Sequence, residues 1–234
     1  DGFRASKELR ELQLSLADTQ PVGTIVSRVR SVDQAKAVLT FVEAAADKAL
    51  GCTVALTAGR GRGKSAALGL SLAAAIAYGY ANIFVTAPSP ENLRTLFEFV
   101  LKGFDALEYK EHQDFTIVES TNPELKKAVV RINVFHGHRQ TIQYIEPTDD
   151  ALLAQAELLV VDEAAAIPLP TVRKLLGPHL TFLASTVNGY EGTGRALTHK
   201  LISQLRARSA NGADAGASGD AAGAGADGLL GRSL

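Results

Sequence analysis

The run Ala58-Gly59-Arg60-Gly61-Arg62-Gly63-Lys64-Ser65 sets glycines, a lysine and a hydroxyl in the order that phosphate chemistry uses. Gly59, Gly61 and Gly63 let the backbone curl so that successive N–H groups point at phosphate oxygens, with Arg60 and Arg62 carried on the same loop. A helix beginning there adds the positive end of its dipole. Lys64 would then reach the β- and γ-phosphates of ATP, and the Ser65 hydroxyl would hold Mg²⁺. The loop opens on Ala58, where the general pattern has glycine.

Further along, Leu158-Leu159-Val160-Val161-Asp162-Glu163 supplies the complementary piece, an apolar run ending in two acids. Asp162 is expected to bind Mg²⁺ through water and Glu163 to polarise the attacking water. An acid pair after a strand is ordinary by itself. Its pairing with the glycine-rich loop points to ATP binding and hydrolysis, with Lys64, Asp162 and Glu163 as the catalytic set.

Other candidates have two readings each. Ser185, Thr186 and Arg195 could sense the γ-phosphate, while Gly189, Gly192 and Gly194 beside them could be turn glycines. Gln34 could read an adenine edge or complete a capping box with Ser31. His136, His138 and Arg139, with Arg131 nearby, could make a cationic hairpin tip for an RNA backbone, or a solvated turn. The five histidines do not pair with Cys or acids at zinc-site spacing.

The elements that must position these residues alternate from Cys52 onward between short β-rich runs and longer helical stretches. That is the pattern of a mostly parallel sheet flanked by helices, and with the glycine-rich loop it reads as an α/β P-loop NTPase. Strands are predicted over Thr53–Thr57, Asn82–Thr86, Phe115–Glu119, Ala128–Val134, Gln140–Ile145, Glu157–Val161 and Thr181–Ser185, with a hairpin around Gly137. Helices are predicted over Lys64–Tyr78, Pro90–Leu107, Asp149–Ala156, Pro170–Leu176 and Gly194–Arg208. Before them, leucines 9, 12 and 16 mark a short helix over 7–16 that breaks at Thr19-Gln20-Pro21-Val22-Gly23, and an apolar stripe marks another over 33–49. Residues 1–50 thus read as a helical segment, 51–208 as the ATPase domain, and the Ala/Gly/Ser/Asp-rich 209–234 as a disordered linker or insertion.

The 234 residues carry a net charge of −1, so nucleic acid would have to be gripped by a local patch rather than by overall basicity. The lone Cys52 excludes an internal disulfide and reads as a small core residue. No run reaches the ~20 apolar residues of a membrane span. The chain has no methionine and is expected to be a piece of something longer.

These motifs resemble the RNA cytidine acetyltransferase family, which joins a RecD-like helicase ATPase module to a GNAT acetyltransferase domain. The resemblance rests on residues 58–65, on Phe84-Val85-Thr86-Ala87-Pro88-Ser89-Pro90, on Leu96-Phe97-Glu98-Phe99, on 162–168 and on 184–195. It covers about Leu9 to Arg208, and Phe97 to His112 looks like the eukaryotic, nucleolar branch. It implies a RecA/RecD-like fold, formation of 4-acetylcytidine in rRNA and tRNA using acetyl-CoA and ATP, a part in ribosome biogenesis, a nuclear and nucleolar setting, and adapter proteins or guide RNPs as partners. No GNAT acetyl-CoA signature and no second motor lobe is found in this chain, so it would be the ATP-handling part. A superfamily 1 RNA helicase or translocase, and a nucleotide-dependent assembly module without useful turnover, are the alternatives.

Overall fold

The structure, a computed structural model, describes residues 2–186, Ser203 and residues 232–233. Three helices come first, α1 (Gly2–Ser15), α2 (Val22–Val26) and α3 (Val32–Ala46). Then follow β1 (Thr53–Ala58), α4 (Lys64–Ala77), β2 (Asn82–Thr86), α5 (Arg94–Ala106), β3 (Phe115–Glu119), β4 (Val129–Val134) and β5 (Gln140–Tyr144). The series closes with β6 (Leu158–Val161), α6 (Leu169–Leu175), β7 (Leu180–Thr186) and the two-residue β8 (Arg232–Ser233).

The strands form one sheet in the order β3-β4-β5-β2-β6-β7-β1-β8. All neighbours from β5 to β8 pair in parallel, and β4 runs antiparallel between β3 and β5. The carboxyl ends of β1, β2, β6 and β7 therefore lie at one pole of the sheet, and the β4–β5 turn lies at the other. Strand alternation divides the core in two. Val54, Leu56, Val160 and Phe182 face a large cluster with α2, α3, α4 and α5, whereas Leu159, Val161 and Leu183 face a smaller one built with α6 and short 3₁₀ turns. Residues of α2 and α3 share the first core with the sheet, and the rings of Phe41 in α3 and Phe182 in β7 meet at 4.6 Å.

The predicted strands are all present, most with ends displaced by a residue, and the hairpin is the antiparallel β4–β5 pair. Three expectations are corrected. The segment expected as an α-helix at 149–156 is a 3₁₀ helix, Asp150–Gln155, with only Leu153 buried, too little apolar face to hold a longer α-helix. The helix expected from Pro90 begins as a 3₁₀ turn capped by the Ser89 hydroxyl, which accepts from Glu91 N, and becomes α-helical only at Arg94. The break expected around Pro21-Val22-Gly23 contains α2, a single turn whose Val22, Ile25 and Val26 are buried. The helix expected at 194–208 and the linker expected at 209–234 lie outside the described residues, apart from Ser203 and β8.

Cys52 is half-buried, and burial pushes its thiol up, away from the thiolate range. Among the described residues no helix is long and apolar enough to cross a membrane.

Helix α4 must lie close to α5 to hold the P-loop against the sheet, and small residues make this possible. A Cβ on Gly69 would collide with the Leu96 carbonyl oxygen, and one on Gly103 with the Ala73 side chain. Gly69→Val is expected to destabilise the fold by about 1–3 kcal/mol through overpacking, read as a lower urea midpoint with an unchanged m-value.

Candidate nucleotide site

The P-loop joins β1 to α4, and its conformation is set by local sterics. Gly61 and Gly63 have φ of 76° and 78°, in the left-handed region that glycine enters without strain. Gly63 is the N-cap of α4, so the loop ends on a helix N-terminus with free N–H donors. Gly59, Arg60, Gly61 and Arg62 are exposed, whereas Lys64 is buried. The Lys64 ammonium donates to the Ala58 and Gly59 carbonyl oxygens at 3.3 and 3.2 Å. The carbonyls at the start of the loop thus hold its own lysine.

Strand β7 lies between β1 and β6, with Ala58 opposite Thr186 and Val161 opposite Leu183. This spacing places Asp162 across one intervening strand from the P-loop. Asp162 is completely buried, and its Oδ1 accepts from Glu163 N at 2.9 Å. Its Oδ2 has no hydrogen-bond partner among the described residues. Burial pushes the Asp162 carboxyl up from its ordinary value, opposed by the Ser65 hydroxyl, the Glu163 N–H and the Lys64 charge. An unpartnered buried carboxylate oxygen beside a serine hydroxyl suits a hard divalent cation.

The next residue is bent out of the strand. Glu163 has φ 49°, a left-handed conformation uncommon for a residue with a side chain. Its carboxylate oxygens both lie within hydrogen-bond reach of Thr186 Oγ1, at 2.9 and 2.8 Å. Since a hydroxyl has one proton, Thr186 donates to either oxygen and holds the carboxylate from the end of β7. Sequence reading named Thr186 as a phosphate sensor, but nothing in sequence could show its partner. Ser185 is buried one residue earlier, opposite Thr57. Arg195 lies outside the described residues.

Gln34 completes only half of the capping box considered for it. Ser31 caps α3 by accepting from Gln34 N at 3.2 Å. The Gln34 side chain does not return to Ser31: Oε1 accepts from Arg30 N at 2.9 Å, and Nε2 donates to the Gly63 carbonyl at 3.2 Å. It therefore ties the start of α3 to the P-loop. A cavity of about 180 Å³ lies beside that tie, lined by Asp33, Gln34, Ala37, Gly59 and Lys64. Asp33 carried no signal in the sequence beyond its place near the start of α3.

The cationic hairpin residues are not brought to this site. His136, His138 and Arg139 belong to the opposite pole of the sheet, where His138 approaches Gly79 at the end of α4. His136 Nδ1 lies 2.9 Å from Asp114 Oδ1, and its ring stacks on Tyr109 at 4.2 Å. Arg131 is in mid-strand, its Nε donating to Asn133 Oδ1 at 2.7 Å. Among the described residues no group of three or more His, Cys, Asp or Glu could hold a metal by itself.

Residues 55–216 match the family model described as RNA cytidine acetyltransferase NAT10/TcmA, helicase domain. The chain is 68% identical over 203 residues to the RNA cytidine acetyltransferase of Homo sapiens, covering 87% of this chain and 20% of that protein. The Saccharomyces cerevisiae protein of the same name is 65% identical over 199 residues, covering 85% of this chain and 19% of that protein. The chain thus spans about a fifth of the length of these curated relatives. Among solved structures, a Thermus phage large terminase ATPase domain aligns with a TM-score of 0.43 at 19% identity, over 71% of this chain and 73% of that one. A large terminase from a thermophilic bacteriophage, in complex with ATP-γ-S, aligns with a TM-score of 0.43 at 13% identity, over 64% of this chain and 37% of that one.

Two outcomes are expected from the site. Asp162→Asn should raise the thermal midpoint of the nucleotide-free protein, because it removes a buried charge while an amide oxygen still accepts from Glu163 N. The raised folded-state pKa fixes the sign with pH: as pH falls through it, Asp162 takes up a proton in the folded protein before it would in the unfolded chain, and the penalty fades. The advantage of Asp162→Asn should shrink as pH is lowered towards the ordinary carboxylate range, measured by thermal unfolding at stepped pH. Gly63→Ala should lower nucleotide affinity, since its Cβ would strike the Gln34 amide and its φ is strained for alanine.

Proposed function

Because the chain belongs to the RNA cytidine acetyltransferase family, as its helicase domain, we propose that it binds and hydrolyses ATP to drive RNA handling during cytidine acetylation. The observation that carries the nucleotide reading is the juxtaposition of the P-loop with the buried, half-satisfied Asp162. The triphosphate would displace the Ala58 and Gly59 carbonyls from Lys64, whose ammonium turns to the β- and γ-phosphates. The N–H groups of the loop and of the first turn of α4 would donate to the same oxygens. Ser65 Oγ and, through water, Asp162 would hold Mg²⁺, which neutralises phosphate charge when bound.

For hydrolysis, Glu163 would accept a proton from the attacking water as its oxygen bonds to the γ-phosphorus and the bond to ADP breaks. Gln34, beside the 180 Å³ cavity, would present its amide to the adenine edge while staying tied to Gly63. Ser185 and Arg195 remain proposed γ-phosphate sensors. Beyond this domain, the reading extends to 4-acetylcytidine formation in rRNA and tRNA with acetyl-CoA. Adapter proteins or guide RNPs and a nucleolar location belong to the same proposal, as does RNA contact through Arg131, His136, His138 and Arg139. The domain division read from the sequence is retained with it.

A second reading has its own observation. Thr186 holds the Glu163 carboxylate, so the resting domain keeps its base engaged, as a nucleotide-dependent assembly module without useful turnover would.

Two substitutions separate the parts. Lys64→Ala should weaken ATP binding on the order of 10- to 100-fold, as expected for one charged hydrogen-bonding group of ~1.5–3 kcal/mol. Glu163→Gln should keep ATP affinity and lower ATPase turnover by about 10²–10⁴. If Glu163→Gln leaves RNA acetylation by the full-length protein unchanged, the hydrolysis-coupled account fails and the assembly reading stands.

A further inference from the structure

A second cavity, of about 640 Å³, lies where the start of α5 meets the turn from β3 to β4. Strand β3 runs in the same direction as β5 and β2, because β4 is antiparallel to both its neighbours. The β3–β4 turn and the start of α5 are therefore at the same pole of the sheet as the P-loop, displaced towards the β3 edge. The volume falls in the range of real ligand pockets.

The lining has two chemistries. Phe97, Leu101, Leu125 and Val129 make an apolar floor, and Arg94, Lys126 and Lys127 stand at the rim, exposed. Among the described residues none of these three cations has a carboxylate within salt-bridge distance. Of the acids in the lining, Glu98 is already bound by Lys102 at 2.7 Å, which leaves Glu91. The Glu98 carboxyl is held below its ordinary value first by that Lys102 bond and charge, with Arg94 and Arg30 adding to it. Arg30 in turn is tied through its backbone to Gln34, and so to the P-loop. Arg94 and Arg30 thus both act on Glu98, on a chain whose net charge is −1.

The lysine pair is held in a costly conformation. Lys126 and Lys127 have φ of 46° and 58°, two successive side-chain-bearing residues in the left-handed region. The turn is fixed by Asn122, whose Oδ1 accepts from Glu124 N at 3.0 Å, and by Ala128 N donating to the Leu125 carbonyl at 2.8 Å. Glycine would relieve that strain, and lysine occupies both positions. A strained turn that presents adjacent cations over an apolar cleft is suited to a flexible polyanion with flat apolar units.

We propose that this cleft binds single-stranded RNA, with phosphates along Arg94, Lys126 and Lys127 and a base entering over Leu101, Leu125 and Val129. It rests on the reading of the domain as an RNA-handling ATPase and names the surface that does the handling. An acidic peptide would satisfy the cations but leave the apolar floor unused. The contacts are to backbone and base faces, so binding is sequence-tolerant and salt-dependent.

The experiment measures fluorescence anisotropy of a labelled oligouridylate of about 12 nucleotides against the 234-residue chain, with a fluorescent ATP analogue titrated in parallel. Joint Lys126→Gly and Lys127→Gly is the informative variant, because glycine keeps the left-handed backbone and deletes only the charges. RNA affinity should fall about tenfold or more, and the slope of log K against log salt should flatten by about 1.4, the value for two phosphate contacts on a single strand. Arg94→Gln should add to the loss, and affinity for the ATP analogue should not change. Unchanged RNA affinity in the glycine variant would overturn the proposal. So would loss confined to joint His136→Ala, His138→Ala and Arg139→Ala, or equal displacement of the RNA by polyglutamate. Absence of RNA binding at low salt with ATP-analogue binding intact would also overturn it and leave the nucleotide site standing, whereas loss of ATP-analogue binding alone would strike the nucleotide reading.

Discussion

Asp162 ends a strand whose four residues are all fully buried, and its charge is enclosed with them. An isolated carboxylate in such a place is costly, so its surroundings must compensate. The compensation comes from three directions: the backbone N–H of Glu163, the hydroxyl of Ser65 and the charge of Lys64. Each depends on a different element being in register. Glu163 must kink out of β6, Ser65 must enter the first turn of α4, and β7 must separate β1 from β6 by one strand width. Only the parallel order β2-β6-β7-β1 brings those ends to one pole.

The same order brings the loop and the base to their partners. Lys64 donates to the carbonyls of its own loop, and Thr186 donates its hydroxyl to Glu163. Both are ionised groups bonded to neutral partners, each contact worth about 1.5–3 kcal/mol. Gln34 extends this logic outward. Its amide joins the carbonyl of Gly63 to the backbone of Arg30, and Phe41 on the same helix packs on Phe182 of β7. The P-loop is therefore tied to the start of α3, and α3 to β7 through a ring contact.

How far the sequence revealed this depends on the range of the interaction concerned. Strands β1, β2 and β6 were legible because each is a short apolar run bounded by turn residues, and the P-loop because its glycines have a local steric reason. The α2 turn was hidden by Pro21 and Gly23, which mark a break locally, while burial of Val22, Ile25 and Val26 against the helical layer overrides them. At 149–156 the apolar letters suggested a helix, but only Leu153 finds a core. The Thr186 to Glu163 bond and the tie from Gln34 to Gly63 join residues far apart in sequence, and no periodicity encodes such pairs. Lys126 and Lys127 read as ordinary surface lysines until the backbone shows them in the left-handed region.

The poles of the sheet divide the cations into two kinds. At the β4–β5 turn His136 is already engaged by Asp114 and stacked on Tyr109, so its ring has local structural partners. At the P-loop pole, Arg94, Lys126 and Lys127 have no carboxylate partner among the described residues, and the backbone beneath the lysines is strained. Adjacent like charges repel, and a bound anion can offset that repulsion. Arg30 acts on Glu98 in the cleft while its backbone is held by Gln34, so the cleft and the candidate nucleotide site are joined through one residue.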